Sequence, residues 1–350
     1  MNKVIQNDLE ELSGRNPDLS HLHGKTVMIT GAGGLIAKYL TFFLLYLNSQ
    51  RDTGITVIAM VRNLSKAEKI FAEYLGRDDF VLVRQDVCDE ITYEGSADYI
   101  IHAASSANPR SILSDPVGII KANTLGTFNV LEYARTKGVK KVLFTSTREI
   151  YGRTSDEIDA VSESDTGQLD PLDPRSCYPE SKRAAESILQ SYRTQYGIEF
   201  NSVRIAHTYG PLMETDNDGR VMSDFIGDTI NGRDIVLNSD GTAERAFCYV
   251  SDTADGLLKV LLKGGGGCAY NLANETEPRP IKEIAGILAG MDPQKNIKVI
   301  LNADSQFSAG GYSRHRRVML DTSRLESLGW KPAVSLSDGL RRTVESFSEE

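Results

Sequence analysis

Thr26-Val27-Met28-Ile29-Thr30-Gly31-Ala32-Gly33-Gly34-Leu35-Ile36-Ala37 is the stretch that decides the fold. A short apolar run enters a glycine turn, and a helical pattern begins directly after it. Gly31 permits the tight turn, Gly34 lets backbone approach a pyrophosphate, and the small Ala37 lets the helix pack close to the strand. The N–H groups of the first helical turn, at Leu35 and Ile36, then face the phosphates. A glycine turn alone is weak; lodged between a buried strand and a helix it reads as a dinucleotide site.

Outward from the turn, the pattern repeats. Apolar runs at Thr26–Thr30, Ile55–Val61, Phe80–Val83, Tyr99–His102, Lys141–Thr145 and Phe200–Ile205 alternate with helix-like stretches. They are short and nearly all apolar, as strands are when both sheet faces are covered. The expected fold is α/β, a Rossmann-type doubly wound parallel sheet with a smaller, mostly C-terminal substrate domain. The helix at Ala37–Asn48 is apolar on most sides, which fits burial between the sheet and a neighbour. After about residue 206 the rhythm breaks. Tyr209–Gly241 is rich in Gly, Asp and Asn around one helical stretch, Val221–Asn231. A strand–helix unit at Phe247–Leu262 ends in four glycines, Gly264 to Gly267. Helices at Ile281–Ala289 and Leu336–Phe347 and a strand at Ile297–Leu301 follow. The expected division is a polar N-terminal extension at 1–24, carrying one short helix, and two domains. The dinucleotide-binding domain takes 25–206 plus about 243–263, and the substrate domain about 207–242 plus 264–350, with the cleft between them.

Composition narrows the function classes. A hydrophobic fraction of 40% over 350 residues supports a packed core and excludes disorder. A net charge of −9 argues against a sequence-independent nucleic-acid binder. The densest apolar run, Phe42 to Leu47, is far short of the ~20 residues a membrane span needs. The N-terminus lacks the layout of a signal peptide. Cys88, Cys177, Cys248 and Cys268 are scattered without a CxxC pair, which suits a reducing cytoplasm better than disulfides or a metal site.

The strand at Lys141–Thr145 runs into Ser146-Thr147-Arg148-Glu149-Ile150-Tyr151-Gly152, and Tyr178-Pro179-Glu180-Ser181-Lys182 opens a later helix. A Tyr and a Lys four apart share one helical face, and a cation beside a phenol lowers its pKa from about 10 toward neutrality. At the end of the second strand, Met60-Val61-Arg62-Asn63 has no carboxylate for a ribose 2′-hydroxyl. NAD is the expected cofactor, and Arg62 leaves NADP open through the 2′-phosphate. Asp86 and Val87, past the third strand, stand where an adenine amino group is read.

On these motifs the chain resembles the extended short-chain dehydrogenase/reductases, within the nucleotide-sugar epimerase/dehydratase group, from Lys25 to Phe347. The resemblance includes His102-Ala103-Ala104-Ser105, Asn123-Thr124-Leu125-Gly126-Thr127, Arg204 with Tyr209-Gly210-Pro211, Arg245-Ala246-Phe247, and Leu328-Gly329-Trp330-Lys331-Pro332. Asp173-Pro174-Arg175-Ser176-Cys177-Tyr178 and Asp218-Gly219-Arg220-Val221-Met222-Ser223 look most like UDP-glucuronate decarboxylases. Arg316-Arg317-Val318-Met319-Leu320-Asp321 looks more like dTDP-glucose 4,6-dehydratases.

The resemblance implies a bound NAD contacted also by Ala103 and Ala104, and a nucleotide-diphosphate sugar oxidised at C4. Tyr178 takes the 4-hydroxyl proton, Thr147 hydrogen-bonds that oxygen, and Lys182 holds the nicotinamide ribose. The 4-ketone opens three outcomes: loss of carbon dioxide from a uronate, loss of water across C5 and C6, or re-reduction from the other face. Dehydratases carry Asp–Glu where this chain has Arg148-Glu149, and decarboxylases carry Ser–Glu. A guanidinium cannot protonate a leaving hydroxyl, but it can pair with a substrate carboxylate. Decarboxylation is the leading expectation, with dehydration and epimerisation open, Glu149 serving as base.

Asn123 and His207 are expected on the sugar side, and Arg220, Arg245 and Arg317 on the diphosphate. His207 stands where relatives usually have Asn, and Leu212 where decarboxylases have Arg; both positions face the sugar in the family. Two rivals remain, one enzymatic and one from another class. A net reductase would release oxidised NADP, and a cofactor-sensing regulator would lack the Tyr or Lys that this chain has. Family members commonly pair through the Tyr178 helix, so a homodimer is expected.

Overall fold

The computed structural model describes residues 1–16, 18–155, 157–215, 218–302 and 319–348. The expected apolar runs form β1 (Thr26–Thr30), β2 (Thr56–Val61), β3 (Phe80–Arg84), β4 (Tyr99–His102), β5 (Lys141–Thr147) and, past a two-residue β6 (Ala160–Val161), β7 (Phe200–Ile205). Shorter strands follow: β8 (Thr208–Tyr209), β9 (Ile235–Leu237), β10 (Glu244–Arg245), β11 (Cys248–Tyr249), β12 (Cys268–Leu272), β13 (Arg279–Pro280), β14 (Val299–Leu301) and β15 (Met319–Leu320). The helices are α1 (Lys3–Arg15), α2 (Leu35–Arg51), α3 (Leu64–Ile70), α4 (Pro109–Ser114), α5 (Pro116–Lys137) and α6 (Cys177–Tyr196). The chain continues through α7 (Val221–Ile230), α8 (Val250–Lys263), α9 (Ile281–Ala289), α10 (Ser323–Glu326) and α11 (Leu336–Ser346).

The central sheet has seven strands in the order β12-β7-β5-β4-β1-β2-β3, every pair parallel. Strand order reverses between β1 and β4, and a crevice opens there at the carboxyl ends. Alternate residues serve opposite faces, which is why these strands are apolar throughout. Val27, Ile29, Val57 and Ala59 join a core with α2 and α8; Met28, Ile58 and Met60 join one with α5 and α6.

Two parts depart from the expected division. β12, assigned from sequence to the substrate domain, is the seventh strand of the central sheet, with Cys268 to Leu272 paired to Asn201 to Ile205. The glycines after α8 turn the chain back to the sheet edge, Gly267 at φ +72°, and Asn201 Nδ2 reaches Cys268 O at 3.2 Å. The N-terminal segment carries the expected helix, and that helix packs into the main core. α1 lays Ile5, Leu9 and Leu12 into the main core, and its Asp8 is wholly buried. Among the described residues, no helix is long and apolar enough to cross a membrane.

Candidate active site

The crevice is built around Gly31. Its φ is +66°, and a Cβ there would lie 2.7 Å from Ala104 Cα and 2.8 Å from Ala103 O, so only glycine fits. Ala103 and Ala104 thus lie directly against the turn. Gly34 caps α2 with extended backbone, and no side chain caps that helix, so the turn before Leu35 and Ile36 keeps its face open to an anion. Nothing stands within 4 Å of a Cβ placed at Gly33. This cradle fits a pyrophosphate. Arg62 is exposed at the end of β2. Asp86 Oδ1 accepts from Cys88 N at 2.9 Å, and buried Val87 is held by Asn129 Nδ2, which donates to its carbonyl at 2.8 Å. His102 is structural: it meets Thr30 Oγ1 at 2.8 Å, and burial pushes its pKa down to about 3.

The second half of the site comes from β5 and α6. A turn capped by Asp173 leads into α6, which places Tyr178, Lys182 and Glu186 on one face toward β5. Lys182 Nζ donates to Thr145 O at 2.7 Å and lies 4.4 Å from the Phe144 ring centre. Burial lowers its pKa from 10.5 to about 7, opposed by Glu186. The Tyr178 phenol is pushed up, first by burial and then by the Glu149 charge; the Thr147 hydroxyl and the Arg220 charge pull it down. The sequence had led us to expect the ammonium to dominate the phenol. In this arrangement desolvation dominates, because both groups are buried and Lys182 is directed at the backbone of β5. Beneath them, Glu186 accepts from Arg204 Nη2 at 2.7 Å and Ser202 Oγ at 2.7 Å, and Arg204 Nη1 reaches Tyr151 OH at 2.9 Å. This network ties α6 to β7.

A lysine with a lowered pKa destabilises the fold, and the sign can be worked out. Between about pH 7 and 10.5 the unfolded chain binds the proton that the folded chain has released, so stability rises with pH across that window. Below it the whole penalty remains. Lys182→Met is therefore expected to melt higher than the parent at about pH 6, by on the order of 2 kcal/mol, with the gap closing toward about pH 10. Thermal melts at both pH values check this; a variant that melts lower at the acid end overturns it.

The remaining polar residues divide. Arg148 Nη1 donates to His207 Nε2 at 3.1 Å, and Glu149 accepts from Arg175 Nη2 at 3.3 Å. Arg220 caps the start of α7 and ion-pairs with Asp218. Arg245 Nη1 donates to Glu244 O at 2.7 Å in β10. Asn123, expected toward the sugar, donates its amide to Ser181 Oγ at 2.9 Å and so braces α5 against α6. Arg317 lies outside the described residues. Sequence reasoning passed over Arg175, although its place three residues before Tyr178 was a signal. It also passed over Lys38, whose Nζ donates to Leu212 O at 2.7 Å and joins α2 to the loop after β8.

A glycine turn at the switch point of a parallel sheet, with Thr147, Tyr178 and Lys182 at the adjoining strand end, defines an extended short-chain dehydrogenase/reductase. The family model for the NAD dependent epimerase/dehydratase family matches residues 27–273, and the chain belongs to that family. It is 34% identical over 321 residues to UDP-glucuronic acid decarboxylase 3 of Arabidopsis thaliana, covering 92% of this chain and 88% of the relative. It is 33% identical over 334 residues to UDP-glucuronic acid decarboxylase 1 of Danio rerio, covering 95% and 75%. Among solved structures, UDP-glucose 4-epimerase of Thermotoga maritima with UDP-glucose is similar at a TM-score of 0.78 and 24% identity, covering 93% of this chain and 99% of that one. The dTDP-glucose 4,6-dehydratase of Streptomyces venezuelae with NAD bound gives 0.76 and 24%, covering 93% and 97%. These two likenesses show the fold.

Proposed function

We propose that the chain decarboxylates a nucleoside-diphosphate uronate, with UDP-glucuronate as the leading substrate. The observation that carries the uronate part of this reading is Arg148, seated beside Thr147 where water loss would need an acid. Its guanidinium holds protons too tightly to give one to a leaving hydroxyl, and it suits a carboxylate on the sugar. Kinship with UDP-glucuronic acid decarboxylases over 92% of the chain supports the same substrate class.

When bound, the nicotinamide dinucleotide supplies reversible hydride acceptance at C4. Tyr178 takes the proton of the 4-hydroxyl, and Thr147 hydrogen-bonds the same oxygen. With C4 a ketone, the C5–C6 bond breaks as its electron pair moves through C5 onto that oxygen, and carbon dioxide leaves. Tyr178 and Thr147 face the charge that develops there. Glu149, held by Arg175, is suited to relay a solvent proton to C5, after which C4 regains its hydride and O4 its proton from Tyr178, giving the UDP-pentose. Arg220, beside Asp218 and near the phenol, is suited to the diphosphate.

UDP-glucuronate, UDP-galacturonate and UDP-glucose, each incubated with the protein and scored by mass spectrometry, test the reading. Loss of carbon dioxide from a uronate is expected; water loss from the hexose alone overturns it. The exposed Arg62, with no carboxylate in its turn, supports acceptance of NADP alongside NAD. Arg62→Ala is expected to weaken NADP binding about 10-fold and leave NAD nearly unchanged in calorimetric titrations; equal losses for both overturn the assignment. A second copy of the chain fits α5, where Val117, Ile120, Leu125 and Phe128 stand exposed on one helical face. Light scattering at twice the chain mass is the expected result.

A further inference from the structure

Two residues at the strand tips are held against each other. Arg148 leaves β5 directly after Thr147, and His207 follows β7 with its backbone in the left-handed region at φ +43°. β5 and β7 are neighbours in the sheet, which brings the two side chains to 3.1 Å. A guanidinium only donates, so the imidazole nitrogen facing it is the acceptor. The ring is also supported from behind, 5.5 Å from that of Phe247. The nearest carboxylate in sequence, Glu149, is engaged by Arg175. Among the described residues, no carboxylate forms an ion pair with Arg148. A partly buried cation that meets an imidazole nitrogen rather than a carboxylate is poised for an anion brought by a ligand. Arg148 directly follows Thr147 at the end of β5, and the proposed mechanism puts Thr147 on the C4 oxygen, so the anion that Arg148 meets sits next to that oxygen. On a uronate that group is the carboxylate on C5.

We propose that Arg148, positioned by His207, binds the uronate carboxylate and restrains its loss, so that the enzyme also returns part of its substrate as the C4 epimer. The proposal rests on the uronate reading above. Carbon dioxide departs only as negative charge moves from the carboxylate to the C4 oxygen. A guanidinium on the carboxylate stabilises it before the bond breaks and loses its partner as the charge leaves. One charge-assisted contact of this kind slows the cleavage by about 10- to 100-fold. The delay favours the other exit. C4 regains hydride on its opposite face from the reduced nicotinamide, and O4 regains its proton from Tyr178. The product is an isomer of equal mass, and no oxidant or reductant is consumed.

The test is UDP-glucuronate turnover by the cofactor-loaded enzyme, with products separated by chromatography and weighed. The parent is expected to yield both a UDP-pentose and an isomeric UDP-uronate. Arg148→Ser raises the pentose-to-epimer ratio about 10- to 100-fold. His207→Ala shifts it the same way. His207→Asn, whose amide oxygen accepts from the guanidinium and whose backbone tolerates the left-handed region, stays near the parent. A merely structural role for His207 would lower total turnover without moving the ratio. Calorimetry adds a reading independent of turnover: the parent binds UDP-glucuronate more tightly than UDP-glucose, and Arg148→Ser loses that preference. A parent that makes pentose alone overturns the proposal while leaving decarboxylation standing, as does a ratio unmoved in Arg148→Ser. Water loss from UDP-glucose, with the uronates untouched, sinks the parent reading and the proposal together.

Discussion

Tyr178→Phe is expected to lower kcat by about 10²- to 10⁴-fold, the usual contribution of one positioned acid–base group, while the protein folds and binds cofactor as before. The phenyl ring refills nearly all the space, since Tyr178 is only 5% exposed and its ring packs with Ile112 and Ile119. What disappears is the single oxygen to which the proposed mechanism assigns the sugar 4-hydroxyl proton. Thr147→Val removes one hydrogen bond to that oxygen and is expected to cost less, about 10-fold. Steady-state kinetics with a parallel nucleotide titration separates the two effects. A Tyr178→Phe enzyme within 10-fold of the parent would place the proton transfer elsewhere, and Glu149 is the group to examine next. Burial raises the phenol, so the deprotonated form needs help from charge brought close to it. Lys182 is the nearest lysine on the same helical face, one turn on, and its own lowered pKa shows how strongly the pocket resists charge.

The parts of this fold that were legible in the sequence are those whose signal is local. β1, the glycine turn and α2 form one run, and strands apolar on both faces have no other reading than a covered parallel sheet. Tyr178 and Lys182 were legible for the same reason, since helical spacing alone puts them on one face. β12 was hidden because Cys268-Ala269-Tyr270-Asn271-Leu272 mixes polar and apolar residues behind four glycines, so no apolar run announced it. The Arg148–His207 contact joins residues 59 apart. Both departures from the family pattern were visible singly, but only strand order shows that they meet. Asn123 was legible only as part of the family motif, and the packing of α5 on α6 adds that its amide nitrogen donates to Ser181. The N-terminal segment had one local signal that composition masked: Ile5, Leu9 and Leu12 recur at helical spacing beneath a polar surface.

That segment leads to the largest expected loss of stability. Asp8→Ala is expected to cost about 3–5 kcal/mol, and removal of residues 1–16 to leave the chain unable to fold. The Asp8 carboxylate is 0% exposed and accepts from Tyr39 OH at 2.6 Å, Tyr249 OH at 2.6 Å and Arg342 Nη1 at 2.7 Å. Burial raises its pKa, and hydrogen bonds from both tyrosines and from Arg342 oppose that shift. Alanine would strand two buried phenols, each costing about 1–3 kcal/mol unpaired, whereas Arg342 keeps Glu11 and Asp338. Asp8→Asn retains an acceptor oxygen and is expected to lose less than half as much. The damage reaches the candidate active site because Tyr39 lies on α2, which opens directly after the Gly31–Gly34 turn, and Tyr249 immediately precedes α8, which packs on α2. Asp8→Ala is therefore expected to weaken cofactor binding as well as lower the denaturation midpoint, although no atom of α1 lies in the catalytic set. Denaturant titrations with and without NAD measure both effects. A loss below about 1 kcal/mol, with unchanged cofactor affinity, would mean that α1 merely rests on the core.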